Sequence, residues 1–394
     1  MSEKLTILSP RYDFPSPRSI RTNNIVKHLI NDFPVSVICF TNGENELANT
    51  KFGESIYRLP LTTLSKYITN RTFSGYKPWG GLKYLLGALN LVIKKVFLFP
   101  DEWILESEKT LKTLLNIEPD IVIASMHPFS MGEMALSYKK QTNAKVVFDI
   151  GDPLAFNAAV RNYSRRKASY EKELLHKADH LIVTNEQTKA HYVKQYGLAG
   201  EKISIIPQGI DLDTFQNTEV SKTDSKLSMI YAGAFYPELR DPRLFFEELK
   251  NYEDQFNIEV YGKHLSMFRV KQKNISFYGR ISQQELSGKY NASDVLLFFD
   301  NKEGIQSSGK IFELLALKKP VVFIYDNEDS YAKEIASSYE HIFFIKNNKG
   351  DIKRGLKELM SFLKKDFNMS YDINQFSWSV KADQFKQILN GLGK

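Results

Sequence analysis

Residues 307–313, Ser-Ser-Gly-Lys-Ile-Phe-Glu, combine side chains and backbone suited to a phosphorylated ligand. The pattern over 307–318 predicts a helix, and Ser307 and Ser308 are N-cap residue types at its start. Unpaired N–H groups and the positive end of the helix dipole attract an anion at such a start, and Gly309 lets a ligand come near the backbone. Lys310 adds a point charge in the first turn, where a cation is unfavourable unless an anion lies beside it. Glu313, three residues on, shares its face and can accept two hydrogen bonds from a vicinal diol such as ribose. The competing reading needs no ligand: Lys310 and Glu313 simply pair with each other.

Other residues of the same chemical promise are scattered. Arg240, in YAGAFYPELR (231–240), carries a guanidinium that stays charged and grips phosphate through paired donors, or else it is a solvated arginine at a helix start. His127 in SMHPFS (125–130) and Asp149 and Asp152 in FDIGDP (148–153) follow apolar runs, which puts them at the carboxyl ends of strands, where ligands of open α/β sheets bind. A carboxylate there can take the proton of an acceptor hydroxyl. The rival reading of Asp152 is a cap on the helix ahead of Pro153. Near the amino terminus, Arg18 or Arg21 can bring charge to a ligand, while Ser19 can equally serve as a helix cap.

The elements that must position these residues alternate in type. Strand-length apolar runs occur at 5–8, 35–40, 55–59, 121–125, 145–150, 180–184 and 203–207, and again at 227–233, 257–262, 275–279, 295–299, 320–325 and 341–346, with helical periods between. That alternation predicts right-handed βαβ units in two doubly wound, mostly parallel sheets. The polar stretch 208–226, with turn signals at Gly209 and several Asp, Ser and Thr, divides them. The expected organisation is an N-terminal domain over 1–207, a linker over 208–226, a C-terminal domain over 227–372 and a closing segment over 373–394. Two facing domains would enclose one cleft.

Composition bounds the class. The chain has 394 residues, 42% hydrophobic and 25% charged, with only 21 Gly and 14 Pro. Collagen-like, low-complexity and coiled-coil proteins are thereby excluded. A single cysteine, Cys39, cannot form an internal disulfide, and the first residues lack a signal-peptide core, so the expectation is a cytoplasmic protein. No run of 18 apolar residues is present to span a bilayer. The formal net charge of +7 suits an anionic partner. The 27 Phe and 20 Tyr read most simply as an aromatic core. Residues 55–100 carry seven basic side chains (Arg58, Lys66, Arg71, Lys77, Lys83, Lys94, Lys95) and no Asp or Glu, interleaved with Trp79, Leu86 and Phe97. This segment either docks on anionic lipid or packs its apolar stripe on the sheet with solvated lysines. No RNA- or DNA-binding module is recognisable, so nucleic acid is not an expected partner.

The segment SSGKIFELLALKKPVVF (307–323) resembles the C-terminal signature of the large family 4 type of retaining GT-B glycosyltransferases. The likeness extends over 178–215, 231–249, 275–299 and 376–389, the last similar to the family's helix that returns to the N-terminal domain, and RYDFPSPRSIRTNNIVKHLI (11–30) resembles its diphosphate loop. The resemblance implies two facing Rossmann-like domains and a nucleotide-sugar donor, UDP- or GDP-linked, as co-substrate without a metal. Gly233, Arg240, Ser307, Ser308 and Lys310 then correspond to the diphosphate contacts, with Arg243 a second basic candidate, Glu313 to the ribose glutamate, and Gly279 and Arg280 to the edge that meets the base. Arg18 and Ser19 stand in the N-terminal loop where other members have glycines. His127, Asp149 and Asp152 fall on the acceptor side, Asp152 matching the family's acidic residue there. One position departs: two helical turns before Glu313 stands Ile305 rather than a glutamate, and Glu303 lies further upstream, as a subgroup with a shortened S-x-K-x-x-E signature tolerates. The resemblance further implies a saccharide acceptor, lipid-linked in bacterial surface-polysaccharide assembly, and a peripheral place on the inner face of the membrane. Two alternatives stay open, a UDP-sugar 2-epimerase of the same architecture and a catalytically silent scaffold.

Overall fold

The computed structural model describes residues 2–14, 16–41, 49–66, 98–156, 164–212, 226–263, 265–302, 309–365, 369 and 371–392. These form two compact units, one running to Pro207 and resuming at Lys381, the other spanning 208–380.

In the first unit, β1 (Leu5–Leu8), β2 (Val35–Thr41), β3 (Ser55–Pro60), β4 (Ile121–Ser125), β5 (Lys145–Ile150), β6 (His180–Val183) and β7 (Ile203–Ile205) make a seven-stranded sheet in the order β3-β2-β1-β4-β5-β6-β7. Every pairing is parallel. Strands such as Ile121–Ser125 are buried throughout, as a sheet covered by helices on both faces requires. The helices are α1 (Pro17–Leu29), α2 (Ser107–Ile117), α3 (Ser130–Lys139), α4 (Arg165–Lys177) and α5 (Glu186–Tyr196). Sequence fixes their ends locally: the Ser164 and Asn185 side chains accept N–H bonds at the starts of α4 and α5, and Gly197 closes α5 in the left-handed conformation.

The second unit repeats the scheme with β8 (Leu227–Ala232), β9 (Phe256–Tyr261), β10 (Ile275–Tyr278), β11 (Val295–Phe299), β12 (Val321–Tyr325) and β13 (Ile342–Lys346) in a six-stranded parallel sheet, β10-β9-β8-β11-β12-β13. Its helices are α6 (Arg243–Leu249), α7 (Gln283–Ala292), α8 (Lys310–Ala316), α9 (Tyr331–Ala336) and α10 (Lys349–Phe362). All the strands expected from sequence are present within a residue or two of their expected ends. The aromatic surplus is core: Phe235 stacks on Tyr231 at 4.3 Å and meets Phe246, Phe268 and Phe299 edge-on, the arrangements that ring quadrupoles favour. In both sheets the order turns at the first strand, between β1 and β4 and between β8 and β11. Loops beyond such a switch point are where ligands of this architecture sit.

The last helix, α11 (Trp378–Leu392), is shared by the units. Residues 373–380 go with the second, because Trp378 lies against Gly209, where a Cβ would overlap the indole, and Ile210 N–H bonds the Phe376 carbonyl at 2.9 Å. Ile210 is buried, so the stretch expected as linker begins inside this unit. From Lys381 the helix packs in the first unit, where Lys386 pairs with Asp32 and Arg21 lies 5.3 Å from the Phe385 ring. Residues 213–225 of the expected linker, and 67–97 of the basic aromatic segment, lie outside the described residues. Among the described residues no helix is long and apolar enough to cross a membrane.

His341 makes the second unit sensitive to acid. Its ring is 3% exposed and stacks on Tyr371 at 5.4 Å, and burial pushes its imidazole down to about 4. An unfolded histidine titrates near ~6.5, so between that pH and about 4 the unfolded chain takes up the proton and the folded chain does not. Stability present above about pH 6.5 is therefore lost as pH falls through this window, by about 2.5 kcal/mol at pH 4.5. In urea titrations at pH 7 and 4.5, His341→Phe should remove most of that loss from the second unit's transition; an undiminished loss would refute the assignment.

Candidate functional site

At the carboxyl end of the second sheet, backbone geometry comes first. Gly262, after β9, adopts φ +150°, and a Cβ there would fall on the Gly233 carbonyl. Only glycine takes such a conformation without strain. Gly233 N–H bonds the Tyr261 carbonyl at 2.8 Å. The β8 and β9 exits thus lie against each other with no side chain between. The chain then makes a tight loop in which Arg240 N–H bonds the Tyr236 carbonyl at 2.7 Å and Tyr236 N–H bonds that of Arg240 at 3.2 Å. Arg240 leaves it with Nε and Nη2 both donating to Asn301 Oδ1, at 3.0 and 2.6 Å. Asn301 belongs to the loop after β11, which is pinned to this one by Lys302 N–H on the Leu239 carbonyl at 2.9 Å.

Lys310 opens α8, and its Nζ lies 2.9 Å from Glu313 Oε2, with both side chains about a quarter exposed. The ion-pair reading of these residues is therefore the arrangement present. The buried Tyr290 lies beneath, its ring centroid 5.8 Å from the Lys310 ammonium. Burial opposes the lysine's charge, but Tyr290 and Glu313 outweigh it and hold the ammonium above the usual lysine range, so it is a permanent cation. The Tyr231 hydroxyl interacts electrostatically with both Arg240 and Lys310, and burial holds it neutral. The second unit therefore gathers Gly233, Arg240, Lys310 and Glu313 around Tyr231 and Tyr290. Helix α8 is shorter than its sequence pattern, ending at Ala316 with Lys318 left-handed at φ +48°. Ser307, Ser308, Glu303 and Ile305 lie outside the described residues. Gly309 precedes the helix without a side-chain cap. Gly279 and Arg280 are exposed, with open space at Gly279, next to the Tyr278 ring that stacks on Tyr261 at 4.8 Å. Arg243 pairs with Asp241.

In the first unit the candidates are coupled differently. Ser16 caps α1, and Ser19 completes a capping box by accepting the Ser16 N–H at 2.9 Å, which satisfies two orphan groups of the helix start reciprocally. The hydroxyl of Ser19, expected at a ligand, is thus engaged in the helix start. Asp149, expected to reach an acceptor, is 4% exposed and bonds Arg18 and, through both carboxylate oxygens, the buried Arg21. Burial raises its pKa, but the two guanidiniums outweigh this and hold the carboxyl below its usual range. Gly151 lets Arg18 lie flat, since a Cβ there would stand 3.0 Å from its Nη1. His127 sits at φ +69° with its ring edge-on to Phe129, an uncommon backbone conformation for a non-glycine residue. Its Nε2 is buried without a hydrogen-bond partner. Burial lowers the imidazole below its ordinary value against the opposing pull of Asp152.

Sequence reasoning missed what holds the loop after Asp152. Buried Glu171 accepts N–H bonds from Leu154 and Ala155 at 2.8 and 3.0 Å and hydroxyl bonds from Tyr192 and Tyr196, both at 2.9 Å. A helical glutamate with two tyrosines 21 and 25 residues on gives no local sign that they share a carboxylate. Tyr231 and Tyr290 were nearer to hand, each standing inside a motif of the C-terminal half. Asn301 carried no signal. Among the described residues no three His, Cys, Asp or Glu side chains gather to hold a metal ion.

Two parallel sheets, each with its ligand-side loops at a switch point, define a doubly wound α/β protein. Residues 19–214 match the model of Glycosyltransferase Family 4. No curated protein matches the chain by sequence. Similar solved structures include a glycosyltransferase from Rickettsia africae (15% identity, TM-score 0.67, covering 100% of this chain and 99% of that one). Others are sucrose-phosphate synthase from Thermosynechococcus elongatus (14%, 0.68, 99% of each chain) and HepE from Anabaena in complex with UDP and glucose (13%, 0.64, 99% of this chain and 100% of that one). Its residues 19–214 thus belong to Glycosyltransferase Family 4, and the chain has the GT-B fold.

Proposed function

We propose that this chain transfers a hexose, with retention of configuration and without a metal, from a UDP- or GDP-sugar to a lipid-linked saccharide in bacterial surface-polysaccharide assembly. The observation that carries the reading is the grouping of Arg240, Lys310 and Glu313 around Tyr231 and Tyr290 beyond β8 and β11. Glu313 takes the ribose diol, and Arg240 and Lys310 face the diphosphate, with Ser307, Ser308, Gly233 and Gly309 offering hydroxyl and backbone contacts. Departure of the nucleoside diphosphate leaves negative charge, and two fixed cations stabilise it where it develops. Gly279, Arg280 and the exposed Tyr278 take the base. In the first unit Arg18 is kept as a candidate phosphate contact, and Asp152, with neutral His127 beside it, accepts the acceptor's hydroxyl proton. Glu303 is kept as the candidate sugar contact. The basic segment 55–100 rests on anionic lipid at the cytoplasmic face, consistent with a lipid-linked acceptor.

The test is thermal stabilisation by UDP, GDP, ADP, TDP and CMP, followed by turnover of the matching nucleotide-sugars. One nucleotide should raise the melting temperature selectively, the shift should vanish in Glu313→Ala and shrink in Lys310→Ala, whose charge meets the free diphosphate more strongly than the sugar-blocked donor, and turnover should survive EDTA. No shift with any nucleotide would favour a silent scaffold, epimerised product without acceptor would favour an epimerase, and loss of turnover on chelation would refute metal-free leaving-group stabilisation.

A further inference from the structure

We infer that Asn301 is a positioning residue for Arg240, one that fixes the guanidinium's direction while leaving its charge available to a phosphate. Arg18, Arg21, Arg58, Arg243 and Arg354 all rest on carboxylates. Arg240 does not. Its Nε–Nη2 edge is held by the neutral side-chain carbonyl of Asn301, and it makes no ion pair among the described residues. Asn301 is 7% exposed. A carboxylate in direct contact would bind the guanidinium strongly and cancel it, whereas the buried Asp300 carboxylate accepts from Asn301 N–H and Ser330 and acts on Arg240 without an ion pair.

The holder is itself held. Asn301 N–H bonds the buried Asp300 carboxylate at 2.8 Å, and Asp300 also accepts from Ser330 at the start of α9. The Lys302 N–H on the Leu239 carbonyl ties the Asn301 loop to the Arg240 loop from the other side. Two loops at the sheet's switch point are thus locked together across one Arg–Asn contact. An anion arriving at Arg240 meets a charged group already oriented, so no side-chain entropy is lost in aiming it.

This inference rests on the reading that Arg240 faces the donor diphosphate, and the experiment separates the two. UDP and uridine binding are measured, by calorimetry and ligand-observed NMR, for the wild type, Arg240→Ala, Asn301→Asp and Asn301→Ala. Asn301→Asp keeps the shape of the contact and places a carboxylate on the guanidinium. UDP affinity should fall by about tenfold or more, nearly as far as in Arg240→Ala, while uridine affinity and the circular dichroism spectrum stay at wild-type values. A merely structural role would move UDP and uridine together. Asn301→Ala, which loses aim and keeps charge, should give a smaller loss of about threefold, and it decides the matter if the aspartate variant does not fold. UDP binding unchanged in both folded Asn301 variants, with Arg240→Ala impaired, would overturn the role of Asn301 alone. Wild-type UDP affinity in Arg240→Ala would overturn the diphosphate reading, and this inference with it.

Discussion

Lys310→Ala is expected to lower kcat by about 10²–10³-fold with little change in the donor KM, the scale seen when one fixed donor to a developing anion is removed. The ammonium is held in its charged form by Tyr290 and Glu313 against burial, so it stays protonated at any working pH and can turn from Glu313 to a diphosphate. A charge of that kind interacts most with the state carrying the most opposite charge, and the departing nucleoside diphosphate gains its negative charge along the reaction coordinate. kcat and kcat/KM should therefore fall together. Glu313→Ala provides the contrast: a contact to ribose is the same in ground and transition states, so KM should rise with kcat nearly unchanged. Steady-state kinetics with the donor found by the nucleotide panel measures both. A Lys310→Ala enzyme within about twofold of wild-type kcat would remove this lysine from leaving-group stabilisation.

How far these properties were legible depended on the range of the interaction. The strands were readable because a parallel sheet buried on both faces demands continuous apolar runs, and IVIAS, KVVFDI and VLLFF are nothing else. The order reversal at β1 and β8 followed from right-handed crossovers. Lys310 and Glu313 were readable as neighbours because helical spacing puts i and i+3 on one face. Which partner each prefers was not, and in the structure they hold each other. Long-range pairing was hidden altogether: Arg21 and Asp149 stand 128 positions apart, and Arg240 and Asn301 stand 61 apart. A titratable residue beyond a strand can face a ligand or a buried partner, and the strand's pattern is the same in both cases. Asp149 and Ser19 turned inward for that reason, while Arg240 kept a neutral hydrogen-bond partner.

The second large effect is expected from Asp149→Ala, which should destabilise the first unit by about 3–5 kcal/mol. Arg21 is 1% exposed, and the carboxylate meets its Nε and Nη2 at 3.0–3.1 Å. Without Asp149 the guanidinium keeps only the carbonyls of Ile206 and Pro207, at 3.0 and 2.9 Å, and stays buried with no counter-charge. Removing one member of such a pair costs far more than the pair contributes net, because the desolvation of the survivor is no longer offset. The consequences reach two distant segments of the same unit, the strand exit at 206–207 and the closing helix, whose Phe385 ring lies under Arg21. Calorimetry should show the transition of the first unit lowered by about 10 °C while that of the second stays in place. Asp149→Asn, which keeps the shape without the charge, should fall between. The pH dependence carries the same sign. The carboxyl is held below its ordinary range. Its contribution is therefore complete above about pH 4 and is lost as pH falls through its lowered value in the folded chain. A first-unit transition within about 2 °C of wild type in Asp149→Ala would mean that Arg21 finds water or another partner, and that this buried triad is not what ties α1 to the sheet.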